Sequence, residues 1–151
     1  MNARASPAQV VVRRAIVADA PRIAELSGQL GYPTSPEEVA ERLGSFEADA
    51  RHAIFVAALP SGEVIGWVHA VERQVLMANV HAEVAGLVVA EGFRGCGAGT
   101  SLIERAEQWA RSRGCTEVLL RSNVFRVAAH EFYKKRAYAT VKTQKVFRKD
   151  L

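Results

Sequence analysis

The feature that most constrains the fold of this chain is a glycine-rich turn between an apolar strand and a helix, within residues 87–114. The turn contains glycines at alternate positions, Gly95, Gly97 and Gly99. After it, apolar residues from Leu102 to Ala110 recur at i, i+1, i+4, i+7 and i+8, which is typical of one face of a helix. Gly114 then occupies the place where a glycine commonly ends a helix. The segment therefore predicts a strand–turn–helix unit.

A turn of this kind predicts an anion-binding site. The first N–H groups of the helix have no acceptor within it, the helix dipole is positive there, and glycines let an anion approach the backbone closely. An ordinary tight turn would show the same glycine spacing and is the alternative. The Gly-Lys-Ser/Thr of a Walker A loop is absent, and the turn does not match the G-x-G-x-x-G of a dinucleotide-binding fold.

Residues 94–99 have the sequence Arg-Gly-Cys-Gly-Ala-Gly, which resembles the R/Q-x-x-G-x-G/A segment of the GNAT acyltransferase superfamily. The resemblance implies an acetyl-CoA-dependent N-acetyltransferase in which the backbone amides of this loop hold the cofactor's pyrophosphate. The cofactor-binding residues that it implies are Arg94, Gly95, Cys96, Gly97, Ala98, Gly99 and Thr100. It also implies that the pantetheine arm bonds the backbone of the strand before the loop, at Leu87, Val88 and Val89. One of these amides is then the expected donor to the tetrahedral oxyanion.

The composition predicts one globular domain over residues 1–151, with a loose tail at residues 1–8. Hydrophobic residues make up 49% of the chain and charged residues 24%, and no apolar run reaches the ~18 residues of a membrane span. Because the N-terminus also lacks the apolar core of a signal peptide, we expect a cytoplasmic protein without a membrane partner. The two cysteines are too few for a disulfide framework, and no Cys/His spacing suggests a metal site.

The net charge of +4 permits binding to polyanions but does not require it. Basic residues concentrate between Lys134 and Lys149, without a recognisable nucleic-acid-binding motif. We interpret them as a solvated face, and we expect no nucleic-acid partner because such a function would leave the glycine turn unexplained.

Periodicity and turn signals predict the order β-α-α-β-β-β-α-β-α-β-β, an α/β (α+β) fold with a mixed central sheet of about seven strands and about four helices. The predicted strands cover residues 9–17, 53–59, 63–76, 81–89, 116–121, 138–141 and 145–147. Asp19 and Ser35 are predicted to cap the first two helices. The same element order belongs to the GNAT fold, so the resemblance extends over essentially the whole chain.

Direct transfer of the acetyl group in a ternary complex needs a base, because an amine with a pKa of about 10 is mostly protonated near neutral pH. Glu83 is the predicted base, since an acid within an otherwise apolar strand needs a partner or a task. Strand alternation places it on one face with its neighbours His81, Ala85 and Leu87. Its spacing from Arg94 also resembles that of the glutamate base in histone-acetylating members of the superfamily. His81 and His69 are alternative bases, and a solvated or salt-bridged role is the alternative for Glu83.

The departing thiolate benefits from a proton, and Tyr133 is the predicted acid. Residues 129–138 resemble the closing helix of the family, A-x-x-F/L-Y-x-x-x-G-Y/F, in which the tyrosine directs its hydroxyl at the CoA sulfur. A core tyrosine beside Phe132 is the alternative. Ala137 replaces the usual glycine, and because alanine tolerates positive φ poorly, we expect the geometry of this turn to differ.

A second departure concerns the asparagine that relatives often carry seven residues before the tyrosine, where it bonds the pantetheine arm. Arg126 stands at that position here, and Asn123 lies three residues earlier. Either residue is a candidate cofactor contact, Arg126 through a phosphate or the adenosine group.

The acceptor is constrained mainly by charge. A locally acidic helix carries Glu37, Glu38 and Glu41, at the place where the family has variable helices on the substrate side. A negative surface there would favour a cationic acceptor. A solvated helix face is the alternative. Since the chain ends soon after the fold is complete, a small-molecule amine is favoured over a protein lysine or N-terminus.

A non-catalytic acyl-CoA-binding sensor of the same fold is the alternative to an enzyme. Dimerisation is common in the family, so a homodimer is open as well.

Overall fold

The computed structural model describes residues 9–151 and arranges them in strands and helices close to the predicted order. The strands are β1 (Val11–Arg14), β2 (His52–Ala58), β3 (Val64–Val75), β4 (Ala78–Val89) and β5 (Val118–Leu120). The helices are α1 (Ala20–Leu30), α2 (Pro36–Glu47), α3 (Ala98–Ser112) and α4 (Val127–Lys134). The loose tail predicted for residues 1–8 lies outside the described residues.

The described residues divide into two compact units, residues 9–120 and residues 121–151. The first contains the sheet and helices α1 to α3, and the second contains α4. Among the described residues, no helix combines the length and apolarity that a membrane span requires.

Local signals fix the ends of the first two helices. The Oγ of Ser35 accepts a hydrogen bond from the N–H of Glu38 at 3.1 Å, and Pro36 takes the first position of α2. Helix α1 ends at Gly31, whose φ of 98° lies in the left-handed region that glycine adopts readily. Ser35 is therefore the cap that the sequence predicts.

Asp19 occupies the N-cap position of α1, but its side chain makes no capping hydrogen bond to the helix. It stabilises the turn between β1 and α1 instead. Its carboxylate accepts hydrogen bonds from the Arg13 guanidinium at 2.8 and 2.9 Å and from the N–H of Ile16 at 2.8 Å. Burial raises the pKa of Asp19, but these hydrogen bonds outweigh burial and hold the pKa below its usual value. The ionised carboxylate thus ties the first strand to the first helix.

The five strands lie in the order β1-β2-β3-β4-β5. The first four are antiparallel neighbours, and β5 runs parallel to β4. This last pairing is short, because it joins only residues 82–84 of β4 to residues 118–120 of β5. Beyond Val84, β4 continues to Val89 with β3 as its only strand neighbour among residues 9–151.

A β-bulge interrupts β4 at the point where it leaves β5. Val84 and Gly86 pair with consecutive residues of β3, so Ala85 between them has no partner there. Because side chains alternate along a strand, one inserted residue exchanges the faces of all the residues that follow it.

The bulge decides which residues of β4 face α1. Glu83 shares its face with Gly86 and Val88, and Val88 packs in a buried cluster with residues of α1. His81 precedes the bulge and lies on the face of Glu83, as predicted. Leu87 lies on the opposite face, so the prediction that it shares the face of Glu83 is wrong, because strict alternation does not allow for the inserted residue.

The core lies on both faces of the sheet. On the α3 face, Leu102 and Ile103 are fully buried, and a Cβ added to Gly66 of β3 would lie 3.1 Å from Leu102. The glycine therefore permits close contact between α3 and the sheet. On the other face, Leu26 of α1 is fully buried in the cluster that contains Val88. Burial of each such side chain contributes about 1.5–3 kcal/mol.

The second unit, all of which is described, contains α4 and no strand. The strands predicted at residues 138–141 and 145–147 are therefore wrong, and the sheet has five strands rather than about seven. A strand needs a neighbouring backbone for its N–H and C=O groups, which an apolar pattern does not supply. Apolar side chains of this segment are exposed instead, namely Val141, Val146 and Phe147.

Replacing the fully buried Leu102 by alanine should lower the free energy of unfolding of the first unit by about 2–5 kcal/mol, because it leaves a cavity under α3. Leu76→Ala is the matched control: Leu76 is fully exposed at the tip of the β3–β4 hairpin, and its loss should change stability by less than about 0.5 kcal/mol. Urea titration of both variants measures the difference. Equal destabilisation would contradict the packing described for α3.

Candidate active site

The glycine turn joins β4 to α3 through a short 3-10 turn at Glu91–Phe93. Gly95 and Gly97 have φ values of 81° and 90°, a left-handed conformation that side chains other than glycine rarely adopt. Cys96 and Ala98, which alternate with these glycines, are buried and anchor the turn on the core. The local sequence thus holds two glycines in the open part of the turn.

Donors at the start of α3 are available to a ligand. The N–H of Ser101 makes the first bond of the helix, to the carbonyl of Gly97 at 3.0 Å. The N–H groups of Ala98 and Gly99 precede it, so no helical carbonyl can accept from them, and no side chain caps this end. Because the helix dipole is positive here, the geometry suits a phosphate group.

The end of β4 leads directly into this turn. Leu87, Val88 and Val89 lie beyond the short pairing with β5, so on that side their backbone has no strand neighbour among residues 9–151. The Nε of Arg94 donates to the carbonyl of Val89 at 3.4 Å, which folds this side chain back over the strand end. An open strand edge of this kind can form strand-like hydrogen bonds with an amide-containing arm.

A cavity of about 340 Å³ lies between α1, α2 and the sheet. Its walls are mainly apolar and include Ile23, Leu30, Val39, Leu43, Ile54 and Trp67. Its floor reaches β4 at Ala85 and Gly86, immediately before the open strand edge. The cavity and the open edge therefore meet on one strand.

The charged residue in the cavity wall is a cation. Arg42 of α2 lines the cavity and pairs with Glu38 at 3.2 Å, whereas Glu37, Glu38 and Glu41 are exposed and are not part of the lining. Helix α2 does border the cavity, but its acidic side chains face solvent, so they give no support to the idea of an acidic acceptor site.

Two histidines lie on the β2–β3 side of the cavity, and one of them lines it. His69 lines the cavity, and its Nε2 lies 2.9 Å from Nδ1 of His52. The ring of Phe46 stacks on His52 with centroids 4.2 Å apart. Burial, together with the neighbouring His52, lowers the pKa of His69 to about 4. His69 is therefore neutral near neutral pH and poorly suited to hold a proton.

Glu83, the predicted base, lies outside the lining of this cavity, two residues before Ala85. Its side chain is only 18% exposed, and its Oε2 lies 3.6 Å from Nε of Arg73. His81, the other alternative base, is buried and its Nδ1 lies 2.9 Å from the carbonyl of Asn79. Glu83 is thus a largely enclosed carboxylate on the face of β4 that borders the cavity.

The second unit contains the other predicted site residues. Arg126 precedes α4, and its N–H donates to the carbonyl of Asn123 at 3.0 Å, so these two candidates lie together. Tyr133 packs edge-on against Phe132 and Tyr138, with centroid distances of 5.3 and 5.8 Å. Burial raises the pKa of Tyr133, and Arg126 offsets only part of this effect. The hydroxyl of Tyr133 therefore keeps its proton.

The turn after α4 retains a left-handed residue although it lacks the usual glycine. Ala137 has a φ of 67°, and its N–H donates to the carbonyl of Lys134 at 3.1 Å. The sequence led us to expect an altered turn, but alanine adopts the strained conformation itself, at a cost of roughly 1–2 kcal/mol.

Sequence reasoning missed the cavity and the contact between its two histidines. His52 and His69 are 17 residues apart, and only the antiparallel pairing of β2 with β3 brings their rings together. One available signal was Gly86, because a glycine inside a strand often marks the close approach of another side chain. A Cβ at Gly86 would lie 2.7 Å from the Trp67 ring, which forms part of the cavity wall.

Comparison with known proteins agrees with this geometry. Residues 20–138 match the model of the Acetyltransferase (GNAT) family. A curated relative, aminoglycoside N(6')-acetyltransferase type 1 of Stenotrophomonas maltophilia, is 29% identical over 127 residues, which cover 82% of each chain.

Solved structures share the fold. Glucosamine-6-phosphate N-acetyltransferase from Arabidopsis thaliana superposes with a TM-score of 0.81 at 22% identity, covering 93% of this chain and 99% of that one. AAC(6')-Iy, in complex with the bisubstrate analogue CoA-S-monomethyl-acetylneamine, superposes with a TM-score of 0.78 at 20% identity. The match covers 94% of this chain and 99% of that one.

The chain therefore belongs to the GNAT acetyltransferase family. It is an acyltransferase, and acetyl-CoA is its co-substrate. The family, the fold class and the co-substrate predicted from the sequence are confirmed.

Replacing Gly86 by alanine should destabilise the protein by about 1–3 kcal/mol, because the new methyl group would displace Trp67. Gly44→Ala in α2 is the control: a Cβ there meets nothing within 4 Å, so helix propensity alone should stabilise by about 0.5–1 kcal/mol. Urea unfolding measures both effects, and tryptophan fluorescence reports any movement of Trp67. A stabilising Gly86→Ala would mean that Trp67 does not lie against β4.

Proposed function

We propose that this acetyltransferase transfers the acetyl group from acetyl-CoA directly to a primary amine of a small cationic molecule, in a ternary complex. Glu83 acts as the base that deprotonates the amine, and Tyr133 acts as the acid that protonates the departing thiolate. The cofactor lies along Leu87, Val88 and Val89, with its pyrophosphate at the turn between Arg94 and Thr100. Asn123 and Arg126 are further candidate contacts to the cofactor.

The observation that carries this proposal is the continuity of cavity, strand edge and glycine turn along β4. The cavity floor is formed by Ala85 and Gly86, and the open backbone edge begins at the next residue. A thioester held on that edge would have its carbonyl at the cavity, and its pyrophosphate would be directed towards the N-terminus of α3. A free N–H of the edge could then stabilise the oxyanion.

The surroundings of Glu83 support its role as base. Its carboxylate is enclosed on the face of β4 that borders the cavity, and Arg73 is its nearby cation. Proton transfer from an ammonium group to a carboxylate removes two opposite charges, which low-polarity surroundings favour.

The environment of Tyr133 supports its role as acid. A general acid must hold its proton at the working pH and release it only as the thiolate develops. Burial raises the pKa of Tyr133 above the usual value of about 10, so the hydroxyl is protonated at neutral and mildly alkaline pH.

The size of the cavity bounds the acceptor. Pockets for small ligands usually measure about 300–1,000 Å³, and the 340 Å³ here lies at the lower end. The cavity therefore suits a small amine or one ring of a larger molecule. The curated relative acts, by its name, on aminoglycosides at the 6' nitrogen, so aminoglycosides form the first class to test.

The decisive experiment combines calorimetric titration with acetyl-CoA and a thiol-release assay over an amine panel. The panel contains aminoglycosides, polyamines, amino-acid amides, an amino sugar and lysine peptides. Thiol release on one small-amine class supports the proposal. Binding of acetyl-CoA with release only on peptides would replace the small-molecule acceptor by a protein, and binding without release on any amine would contradict direct transfer.

Tyr133→Phe should lower kcat by about a hundredfold or more, because the thiolate would depart without a proton donor. The affinity for acetyl-CoA should stay within about twofold, since the hydroxyl acts only as the thiolate develops. Tyr138→Phe is the matched control, because it removes a hydroxyl from the same ring cluster, and its kcat should be close to that of the parent. Full turnover by Tyr133→Phe would remove the acid role.

Gly97→Val should weaken acetyl-CoA binding by about tenfold or more, since valine cannot adopt a φ of 90° without strain and the donors at the start of α3 would move. Gly92→Val, in open space before the turn, should leave the dissociation constant unchanged. Calorimetric titration measures both constants, and thermal melting checks that the variants are folded. A folded Gly97→Val with parental affinity would place the pyrophosphate elsewhere.

A further inference from the structure

The contact between His52 and His69 joins a cavity-lining ring to a ring outside the lining. Nδ1 of His52 and Nε2 of His69 are 2.9 Å apart, so one of these nitrogens carries a proton and the other accepts it. The second ring nitrogen of His69, Nδ1, has no hydrogen-bond partner within residues 9–151, and the ring lies in the cavity wall. This nitrogen is the one available to a bound acceptor molecule.

Asp49 favours one tautomer of His52 when His52 is neutral. Its Oδ2 lies 3.8 Å from Nε2 of His52, and a carboxylate attracts an N–H and repels a lone pair. Hydrogen bonds from the side chain and backbone of Arg51 lower the pKa of Asp49 to about 2, so its charge is permanent over the working range. This charge favours the tautomer of neutral His52 that carries its proton on Nε2 and accepts at Nδ1.

The state of His69 follows from that of His52. When His52 accepts at Nδ1, His69 must donate from Nε2, and its own Nδ1 is then a lone pair. When His52 is protonated, its Nδ1–H donates to Nε2 of His69, and neutral His69 must carry its proton on Nδ1. One protonation of His52 thus converts Nδ1 of His69, the nitrogen not bonded to His52, from an acceptor into a donor, while His69 itself stays neutral.

The other charged groups around the pair have partners of opposite charge. Arg42 lines the cavity from α2 and is paired with Glu38, and Arg51 is paired with Asp49. Phe46 covers the His52 ring and carries no charge. Along the same face of β3, the next charged group is Arg73, which faces Glu83.

We propose that His69 is the group that hydrogen bonds the acceptor substrate in this cavity, and that His52 decides whether His69 offers a lone pair or an N–H. The lone-pair form accepts a hydrogen bond from an ammonium N–H of the substrate, and the N–H form cannot, because an ammonium group has donors only. His52 and Asp49 are thus positioning residues for the acceptor. The inference rests on the proposed function for the identity of the ligand, but the exchange of tautomers is a property of the free protein.

The tautomer exchange is tested without any substrate by NMR of the protein labelled with ¹⁵N at histidine. Long-range proton–nitrogen spectra distinguish an imidazole protonated at Nδ1 from one protonated at Nε2. The chain has four histidines, so single His→Gln variants assign every signal. Spectra are recorded at intervals from about pH 8 to about pH 5, so that the protonation state of each histidine is read directly.

The expected result is that His69 stays neutral and changes from the Nε2–H to the Nδ1–H form as His52 gains its proton. In His52→Gln, the tautomer of His69 should no longer change with pH. His81→Gln, a buried histidine outside the cavity lining, is the matched control and should leave the change in place. If His69 keeps one tautomer while His52 titrates, the coupling is refuted.

The role in recognition is tested by the KM of the acceptor amine, using kanamycin or the first amine of the panel that gives thiol release. In the parent protein, the acceptor KM should rise about fivefold as His52 becomes protonated, which is the size expected for one neutral hydrogen bond. The KM of acetyl-CoA should not follow this change. The His52→Gln variant should lose the part of the rise in acceptor KM that depends on His52, and the His81→Gln variant should keep it. Protonation of the substrate affects the acceptor KM of every variant equally, so it cancels when the variants are compared.

The two arms separate the possible failures. The tautomers could exchange while the acceptor KM depends on pH in the same way in the parent and in His52→Gln. That result would overturn recognition by His69 and leave the acetyltransferase function intact. Absence of thiol release on every amine would instead concern the proposed function, and the NMR arm would still decide the coupling of the two histidines.

Discussion

The site depends on the short pairing between β4 and β5. The two strands share only residues 82–84 of β4, and the bulge at Ala85 follows at once. Without the bulge, β4 would keep its alternation, and Gly86 and Val88 would turn away from α1. With it, one strand provides an enclosed carboxylate at Glu83, a cavity floor and an open backbone edge in sequence. A single inserted residue thus places three different chemical surfaces side by side.

Features that rest on local chemistry were predictable from the sequence. The glycine turn and the Ser35 cap each follow from what one residue type can do at one place in the backbone. The family resemblance at residues 94–99 rests on the same local requirement, because an anion can approach the backbone only where side chains are absent. Tyr133 was selected through a helix motif, which is also a local pattern, and its role as acid stays a prediction.

Features that depend on distant partners were not predictable. The apolar residues near Val141 and Phe147 favoured strands, but a strand also requires a neighbour, and no pattern within the segment provides one. The bulge at Ala85 cannot be recognised within a run of apolar residues, so the face of the sheet on which Leu87 lies was predicted wrongly. Likewise the acidic residues of α2 suggested a negative acceptor site, but only the helix orientation shows that Arg42 lines the cavity while the glutamates face solvent.

The low pKa of His69 bears on the tasks proposed for His69 and Glu83. Moving a proton from an ammonium group to neutral His69 would only transfer a positive charge into an apolar wall, and burial opposes this by holding the pKa of His69 near about 4. Moving the proton to a carboxylate would cancel a positive and a negative charge and would bring no new charge into the wall. The proposal therefore gives proton transfer to Glu83 and neutral hydrogen bonding to His69, although both lie on one face of the sheet.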